Sequence, residues 1–121
     1  MARIIGVDQL HVGTVVGKMS ETEMEVKDNI DACKSELGAM KPVMPVASGG
    51  LYPSLVPDLL KIFGNDVILQ AGGGIHGHPD GTVSGAKAMR QAVDAALEDK
   101  SLEAYAKDHS ELASALKRWE A

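Results

Sequence analysis

Glycines and histidines crowd one short stretch of this sequence, LQAGGGIHGHPDG. Gly72, Gly74 and Gly77 have the G-x-G-x-x-G spacing of a dinucleotide-binding turn, and His76 and His78 have the H-x-H spacing of two metal ligands. A dinucleotide turn needs a helix that begins at its second or third glycine, whereas the letters HPDG predict a turn there. No third metal ligand follows at a diagnostic spacing. The stretch therefore predicts neither a dinucleotide site nor a metal site.

The glycines suit a simpler chemistry, the binding of an anion by bare backbone N–H groups. Gly49 and Gly50 follow one predicted strand, and Gly72 and Gly73 follow the next. In (β/α)8 barrels the turns after the last two strands frequently form a phosphate site. The alternative is that these glycines only permit tight turns. Two glycine turns on successive strands favour phosphate over that alternative.

A histidine and a lysine in the first part of the chain are further candidates. The segment GTVVGK is one residue too short for a P-loop, and Met19 follows its lysine. It is typical of a mobile loop, hinged at Gly13 and Gly17, that closes on a ligand and brings in the cation of Lys18. The alternative for Lys18 is a solvated surface charge. His11 ends the first predicted strand at the same edge, and by itself it suits a core position as well as a ligand group.

The elements that position these residues follow one pattern three times: a short apolar strand, a glycine-rich turn and an amphipathic helix. The predicted strands are Gly6–Val12, Val43–Ala47 and Val67–Ala71, and the predicted helices are Glu21–Met40, Ser54–Phe63 and Val83–Glu98. Such alternation predicts an α/β fold with parallel strands, whose ligands gather at the carboxyl ends of the strands. Three parallel strands leave both sheet edges open, so the chain is expected to self-associate or to be part of a larger barrel.

Apolar spacing predicts which side chains each helix buries. The first helix, with Ser20 and Glu23 at capping-box spacing, presents Val26, Ile30, Cys33, Leu37 and Met40. The second presents Val56, Leu59, Leu60 and Phe63, and Gly64 suits its C-terminal cap. The third presents Ala86, Met89, Val93, Ala96 and Leu97. In the tail Ser101 caps Leu102–Lys107, and Leu112, Leu116 and Trp119 predict a docked final helix.

Composition narrows the class of protein. The 121 residues amount to one domain with an aliphatic core, since 45% are hydrophobic and only 3% are aromatic. The net charge of −5 argues against a nucleic-acid partner, and no apolar run is long enough to span a membrane. The N-terminus has no signal-peptide pattern, and the single cysteine, Cys33, forms no internal disulfide. We therefore expect a cytoplasmic protein with a core thiol.

Three motifs in this order, DQLHVGTVVGK, PVMPVASGGL and ILQAGGGIHGHPDG, resemble the C-terminal barrel portion of the ribulose-1,5-bisphosphate carboxylase/oxygenase (RuBisCO) large chain. The resemblance covers nearly the whole sequence, and the wording PVMPVASGGL is similar to the archaeal form III enzymes. It implies a partial TIM (β/α)8 barrel. Residues 1–99 would form three βα units equivalent to strands six to eight, and residues 100–121 a C-terminal helical tail.

The resemblance also implies roles for individual side chains. Lys18 resembles the lysine of the loop that closes after the sixth strand, where it stabilises the carboxylate formed from CO₂, and its presence favours RuBisCO over RuBisCO-like proteins. His11 resembles the histidine that contacts one phosphate of the bisphosphate sugar. Ser48 resembles the serine that hydrogen-bonds the substrate, and Gln70 matches the glutamine before the last turn. The other phosphate would be held by the backbone N–H groups of Gly49, Gly50, Gly72 and Gly73.

The sequence also departs from the family pattern. Tyr52 stands where the family often has histidine, and Ser20 replaces the usual Glu-Gly after the loop lysine. The matched part has no counterpart of the carbamylated lysine, of the Asp and Glu that hold Mg²⁺, of the His-Arg pair after the fifth strand, or of the N-terminal domain. Mg²⁺ is thus a cofactor of the full-length family, and no metal ligand is assigned here.

We therefore expect this chain by itself not to carboxylate ribulose bisphosphate. Two alternatives remain: a module that binds a sugar phosphate without catalysis, and a structural remnant that only assembles. The expected partners are ribulose bisphosphate or a phosphate or sulfate anion, and either further copies of the chain or the remaining RuBisCO large-chain segments. Neither nucleic acid nor a membrane is expected.

Overall fold

A computed structural model describes residues 1–15 and 22–119 as an α/β structure with a parallel sheet. The strands are β1 (Gln9–His11), β2 (Met44–Ser48) and β3 (Ile68–Gln70). The helices are α1 (Glu23–Lys34), α2 (Val56–Phe63), α3 (Gly73–His76), α4 (Thr82–Leu97), α5 (Leu102–Ala106) and α6 (Ser110–Trp119), with a 3₁₀ turn at Pro53–Leu55. The predicted alternation of strand and helix is confirmed.

The sheet has the order β1-β2-β3, and both strand pairs are parallel, as predicted. His11 lies opposite Val46, and Ser48 lies opposite Gln70. Strands β1 and β3 are shorter than their predicted spans, whereas β2 has its predicted length and lies one residue later. The pairing nevertheless brings the carboxyl ends of the three strands to one edge of the sheet, where the candidate polar residues stand.

The chain divides into two compact units. The first comprises Met1–Gly49 and Leu59–Gln70, and the second comprises Gly50–Asp58 and Ala71–Ala121. The core of the first unit includes Val26, Ile30, Cys33, Val43, Val46, Ala47, Leu59 and Phe63. The core of the second includes Leu51, Val56, Ala88, Met89, Ala92, Ala95, Leu102, Leu112, Ala115 and Leu116. Each unit therefore buries an aliphatic core of its own.

Helix α1 is shorter than predicted at both ends. Its capping box joins Thr22 and Glu25, not Ser20 and Glu23: the Glu25 N–H donates to Thr22 Oγ1 at 3.3 Å, and the Thr22 N–H donates to Glu25 Oε2 at 2.9 Å. Ser20 lies outside the described residues. Because Thr22 and Glu25 also have the spacing T-x-x-E, the sequence contained this second capping signal.

The predicted extension of α1 to Met40 is wrong. The helix ends at Lys34, and Arg3 donates to the carbonyl oxygens of Ala32 and Ser35 at 3.1 and 2.6 Å. Leu37 and Met40, predicted to be buried, are about two-fifths exposed. Arg3, which is distant in sequence, therefore satisfies two carbonyl groups at the end of α1. No local sequence pattern predicts that contact.

Helix α2 follows its prediction. Val56, Leu59 and Phe63 are buried, whereas Leu60 is only partly so. Gly64 ends the helix with φ +73°, and its N–H donates to the Leu60 carbonyl at 2.9 Å. A residue with a side chain adopts this left-handed backbone only at a cost, which explains the glycine cap.

Helix α4 has its predicted length, shifted by one residue, and its buried residues share only Met89 with the predicted set. Ala86 and Leu97 are exposed, contrary to prediction. The buried residues are Gly85, Ala88, Met89, Ala92 and Ala95. A Cβ on Gly85 would overlap with the Ile75 carbonyl, so a glycine is needed at that position. The spacing of apolar residues alone therefore did not predict which residues of α4 are buried.

The tail docks as predicted. Ser101 accepts a hydrogen bond from the Ala104 N–H at 3.2 Å and so caps α5. Leu112 and Leu116 of α6 are buried. A further difference concerns residues 73–76, which were predicted as a loop and form the single helical turn α3.

Candidate functional site

Three candidate polar side chains share one face of the sheet in the first unit. Side chains alternate between faces along a strand, and His11 and Val46 are direct partners, as are Val46 and Ile68. Ser48 and Gln70, two residues after Val46 and Ile68, therefore lie on the same face as His11. All three end their strands, so the structure brings them to one edge, as predicted.

A hydrogen bond joins two of these side chains. His11 Nδ1 lies 2.8 Å from Ser48 Oγ, and the pair is exposed. The bond orients the imidazole of His11 across two neighbouring strands and uses one of its ring nitrogens. Among the described residues, the other ring nitrogen, Nε2, has no hydrogen-bond partner and is the ring atom that a ligand at this edge could contact. An exposed His-Ser pair suits contact with an anionic oxygen, because the Nε2–H of the ring can donate outward when the Ser48 hydroxyl donates to Nδ1.

The second unit holds the triple glycine, whose members differ in what surrounds them. A Cβ on Gly74 would overlap with the Leu51 carbonyl oxygen and lie 2.8 Å from Tyr52 Cα. A Cβ on Gly72 or Gly73 would meet nothing within 4 Å. Gly72 has φ −111°, and Gly73 is helical, so neither needs the left-handed backbone. Gly74 is thus a packing glycine, whereas Gly72 and Gly73 leave open backbone.

The glycines after β2 meet a different demand. Gly49 has φ +110° and Gly50 has φ +70°. Both values are rarely adopted by residues with a Cβ, so this turn needs glycine for its backbone alone. Within the second unit, Leu51 directly follows Gly50 and contacts Gly74. Gly74 therefore packs on the backbone that directly follows Gly50.

The two histidines of the H-x-H motif have separate partners. His76 Nδ1 lies 3.1 Å from Thr82 Oγ1. His78 is buried, its Nδ1 accepts from the Asp80 N–H at 3.0 Å, and its Nε2 donates to the Glu111 carbonyl at 2.8 Å. These two bonds use both ring nitrogens of His78, which therefore fixes the turn after α3 and is not a ligand.

Neither a metal nor a dinucleotide is favoured at this site. The described residues contain no group of three His, Cys, Asp or Glu side chains able to hold a metal ion, so the donors present do not fit Mg²⁺. The dinucleotide argument needs one correction, because a helical turn does begin at Gly73. It ends at His76, and the long helix α4 begins only at Thr82.

The Glu111 carboxyl and the Cys33 thiol have shifted pKa values. The Gln91 side-chain amide, the backbone and Lys87 lower the pKa of Glu111 to about 2. Burial raises the pKa of the Cys33 thiol above its usual range, so this cysteine is an inert core residue, as predicted. Lys18 lies outside the described residues, and its predicted place in a closing loop stays a prediction.

The comparisons with known proteins agree with the order of the motifs. The sequence model of one protein family, the ribulose bisphosphate carboxylase large chain, catalytic domain, matches residues 1–119. The chain belongs to this family. The ribulose bisphosphate carboxylase of Methanosarcina barkeri is 52% identical over 133 aligned residues, which cover 98% of this chain and 31% of that protein. The resemblance found in the sequence is thereby confirmed.

Solved RuBisCO structures match the fold. Octameric RuBisCO from Pyrococcus horikoshii has a TM-score of 0.93 and 52% identity, covering 96% of this chain and 28% of that chain. The dimeric archaeal RuBisCO from Hyperthermus butylicus has a TM-score of 0.86 and 41% identity, covering 98% and 30%. The chain thus spans about three-tenths of the length of the RuBisCO proteins it matches. Within the described residues, no helix is long and apolar enough to cross a membrane.

Two features of the site were not predicted from the sequence. Gly74 and Gly85 were not recognised as contacts between backbones, although their positions in small-residue stretches were a signal. The stacking of Tyr52 on Trp119, with ring centroids 5.1 Å apart, was also missed. In the sequence Tyr52 differs from the RuBisCO pattern, and no spacing rule links it to a residue as distant as Trp119.

Proposed function

We propose that this chain supplies the phosphate-binding edge of a RuBisCO active site and that it binds ribulose 1,5-bisphosphate there. In this proposal its three βα units correspond to strands six to eight of a (β/α)8 barrel, and residues 100–121 form the C-terminal tail. The high structural similarity to RuBisCO chains supports this placement. Ligands of such barrels lie at the carboxyl ends of the strands, where the candidate residues stand.

The observation that carries the proposal is the open backbone at Gly72 and Gly73. Neither strain nor packing requires glycine at these two positions. A requirement for close approach to the backbone explains them, because an added Cβ would occupy the space that an anion needs. We infer that their N–H groups hold one phosphate of the sugar, and the contribution of Gly49 and Gly50 stays a prediction.

The polar side chains have complementary roles in this proposal. His11, oriented by its 2.8 Å contact with Ser48, donates a hydrogen bond to the second phosphate. Ser48 and Gln70 hydrogen-bond the sugar between the phosphates, since they share the face and edge of the sheet with His11. Lys18 supplies the cation that closes over the bound sugar.

We propose binding without carboxylation for this chain by itself. RuBisCO chemistry relies on Mg²⁺, and the described residues offer no donor set that fits it. Purified protein is therefore expected to bind ribulose bisphosphate by calorimetric titration with the same affinity in the presence and absence of Mg²⁺. It is expected to incorporate no labelled CO₂. Mg²⁺-dependent fixation would contradict the proposal.

The variant Gly73→Leu tests the phosphate contact. Its side chain would fill the space in front of the turn, and loss of one charge-assisted hydrogen bond costs about 1.5–3 kcal/mol, or about tenfold or more in Kd. The matched control is Ala86→Leu, which adds the same side chain at an exposed helical position of the same unit. If both variants bind ribulose bisphosphate as the parent protein does, the turn is not the phosphate site.

A second candidate function is assembly, which the open sheet favours. In the described part of the chain β1 and β3 are the outer strands, each paired on one side. The RuBisCO of Pyrococcus horikoshii is octameric and that of Hyperthermus butylicus is dimeric. We infer association with further copies or with the remaining segments of a RuBisCO large chain. Sedimentation of a single monomeric species at all concentrations would count against self-association.

A further inference from the structure

Trp119, at the end of α6, contacts the segments that follow both glycine turns. Its ring stacks on that of Tyr52 with centroids 5.1 Å apart and an interplanar angle of 17°. Tyr52 lies two residues after Gly50. Gly77, which follows the triple glycine, lies against the same indole. A Cβ added at Gly77 would lie 3.1 Å from Cζ2 and 3.2 Å from Cη2 of Trp119. All of these residues belong to the second compact unit.

Gly77 is hydrogen-bonded directly to Gly73, one of the two glycines whose backbone is open. The Gly77 N–H donates to the Gly73 carbonyl at 2.8 Å and closes the single turn of α3. A helix of four residues has little internal support, so its orientation depends on what holds its ends. Gly74 rests on Leu51 and Tyr52 at one end, and Trp119 lies against Gly77 at the other.

Helix α6 is firmly anchored, so its tryptophan can act as a fixed support. His78 Nε2 donates to the Glu111 carbonyl at 2.8 Å, and the Leu112 N–H donates to Gln91 Oε1 at 3.0 Å. Leu112 and Leu116 are buried on the same helix. The start and middle of α6 are thus tied to the core of the unit, and Trp119 extends from that anchored part.

We propose that Trp119 is a positioning residue for the anion-binding turn and acts through the faces and edge of its ring. The indole would hold Tyr52 and Gly77 so that the N–H groups of Gly72 and Gly73 keep the orientation that a phosphate needs. This proposal rests on the proposed function. Trp119 Nε1 is buried without a hydrogen-bond partner among the described residues, so a hydrogen bond of the indole is not the source of the effect.

Three variants separate the ring from the general stability of α6. Trp119→Phe keeps an aromatic ring and removes the unpaired N–H, whereas Trp119→Ala removes the support. Leu116→Ala is the control, because it empties a buried position on the same helix and keeps the indole. Binding of inorganic phosphate and of ribulose bisphosphate is measured by calorimetry, well below the melting temperature of each variant.

We expect Trp119→Ala to bind both ligands about tenfold to a hundredfold more weakly, because misplacement of a binding group by about 1 Å has effects of this size. Trp119→Phe and Leu116→Ala are expected to bind within about threefold of the parent protein. Unchanged binding by Trp119→Ala would overturn the proposal. So would equal losses in Trp119→Ala and Leu116→Ala, since docking of the helix would then suffice.

A second measurement keeps the proposal separate from the proposed function. The amide resonance of Gly73, observed by NMR without ligand, should move or broaden in Trp119→Ala and stay in place in Trp119→Phe. If the parent protein binds neither ligand, the phosphate proposal fails, and the Gly73 resonance alone decides whether Trp119 positions the turn. If Trp119→Ala does not fold, Tyr52→Ala removes the other half of the stack and should shift the same resonance; no shift would overturn the proposal.

Discussion

The glycine turn after β2 and the glycine turn after β3 contain similar letters, SGG and GGG, but they need glycine for different reasons. Gly49 and Gly50 adopt positive φ angles, so the backbone itself requires them. Gly74 is required because another backbone lies against it, and Gly72 and Gly73 are required by neither. The difference shows that neighbouring glycines in a sequence can be required for different structural reasons. Gly72 and Gly73, which have no such structural reason, are the glycines that support the proposed ligand site most directly.

The largest effect is expected at the packing glycine. Gly74→Ala would force a methyl group into the Leu51 carbonyl, and neither backbone can move cheaply. Overpacking of a core costs about 1–3 kcal/mol and occasionally more, and a clash between backbones belongs at the upper end. Chemical denaturation followed by circular dichroism measures this change. A Gly74→Ala protein as stable as the parent would show that the two segments are not in contact.

A smaller loss is expected at the strained turn. Gly50→Ala places a Cβ at φ +70°, which costs about 1–2 kcal/mol for a residue other than glycine. The free energy of unfolding should fall by that amount. The left-handed backbone tolerates asparagine better than alanine, so Gly50→Asn should be less destabilising than Gly50→Ala. Equal losses in both variants would point to sterics in place of backbone strain.

Lowering the pH is expected to destabilise the folded protein through Glu111, which lies at the start of α6. Glu111, whose carbonyl receives the His78 bond, has its carboxyl pKa lowered to about 2 by the Gln91 amide first, then by its backbone and Lys87. A lowered pKa stabilises the folded state fully above the unfolded value of about 4.5 and progressively less as the pH falls toward 2. Melting temperatures recorded against pH should therefore decline below pH 4.5.

The variant Glu111→Gln isolates this contribution. It cannot ionise, so its melting temperature should decline less than that of the parent protein over the same pH range. The comparison uses the difference between the two curves, because other carboxylates titrate in both proteins alike. Parallel curves would mean that the hydrogen bonds of Glu111 do not stabilise the folded state.

The smallest effect on stability is expected at the open glycine. Gly73→Ala adds a methyl group where nothing lies within 4 Å, at a helical position. Replacing glycine by alanine in a helix stabilises by about 0.5–1 kcal/mol, so the melting temperature should stay constant or rise slightly. Affinity for phosphate should nevertheless fall. A clear loss of stability would place Gly73 with Gly74 among the packing glycines and would remove the main support for the phosphate site.

Much of the fold was predictable because local patterns determine it. The three strand–helix alternations, the parallel pairing, the Gly64 cap and the docked tail all follow from periodicity and capping. The family was predictable from three motifs. What failed involves contacts between residues distant in sequence: Arg3 donates to the Ala32 carbonyl near the end of α1, and the Ile75 carbonyl lies against Gly85 of α4. Residues that only the folded chain brings together leave no local trace.

The candidate site was predictable to a similar extent. His11, Ser48 and Gln70 do share one sheet edge, as their strand-end positions indicated. The different reasons for the glycines were not predictable, because φ angles and contacts between backbones cannot be inferred from the letter G. The roles of Gly72 and Gly73 in binding, like that of Lys18, stay predictions until the titrations are made.

Because Cys33 is buried, the reactivity of its thiol can be used to follow the unfolding of this chain. The protein has one cysteine and one tryptophan, and they belong to different compact units, Cys33 to the first and Trp119 to the second. Reaction of the thiol with a disulfide reagent reports exposure of the first core, while the fluorescence of the indole reports the surroundings of α6. Coincident transitions would mean cooperative unfolding, and separate ones a stepwise process. The unmodified protein thus carries a separate reporter in each half.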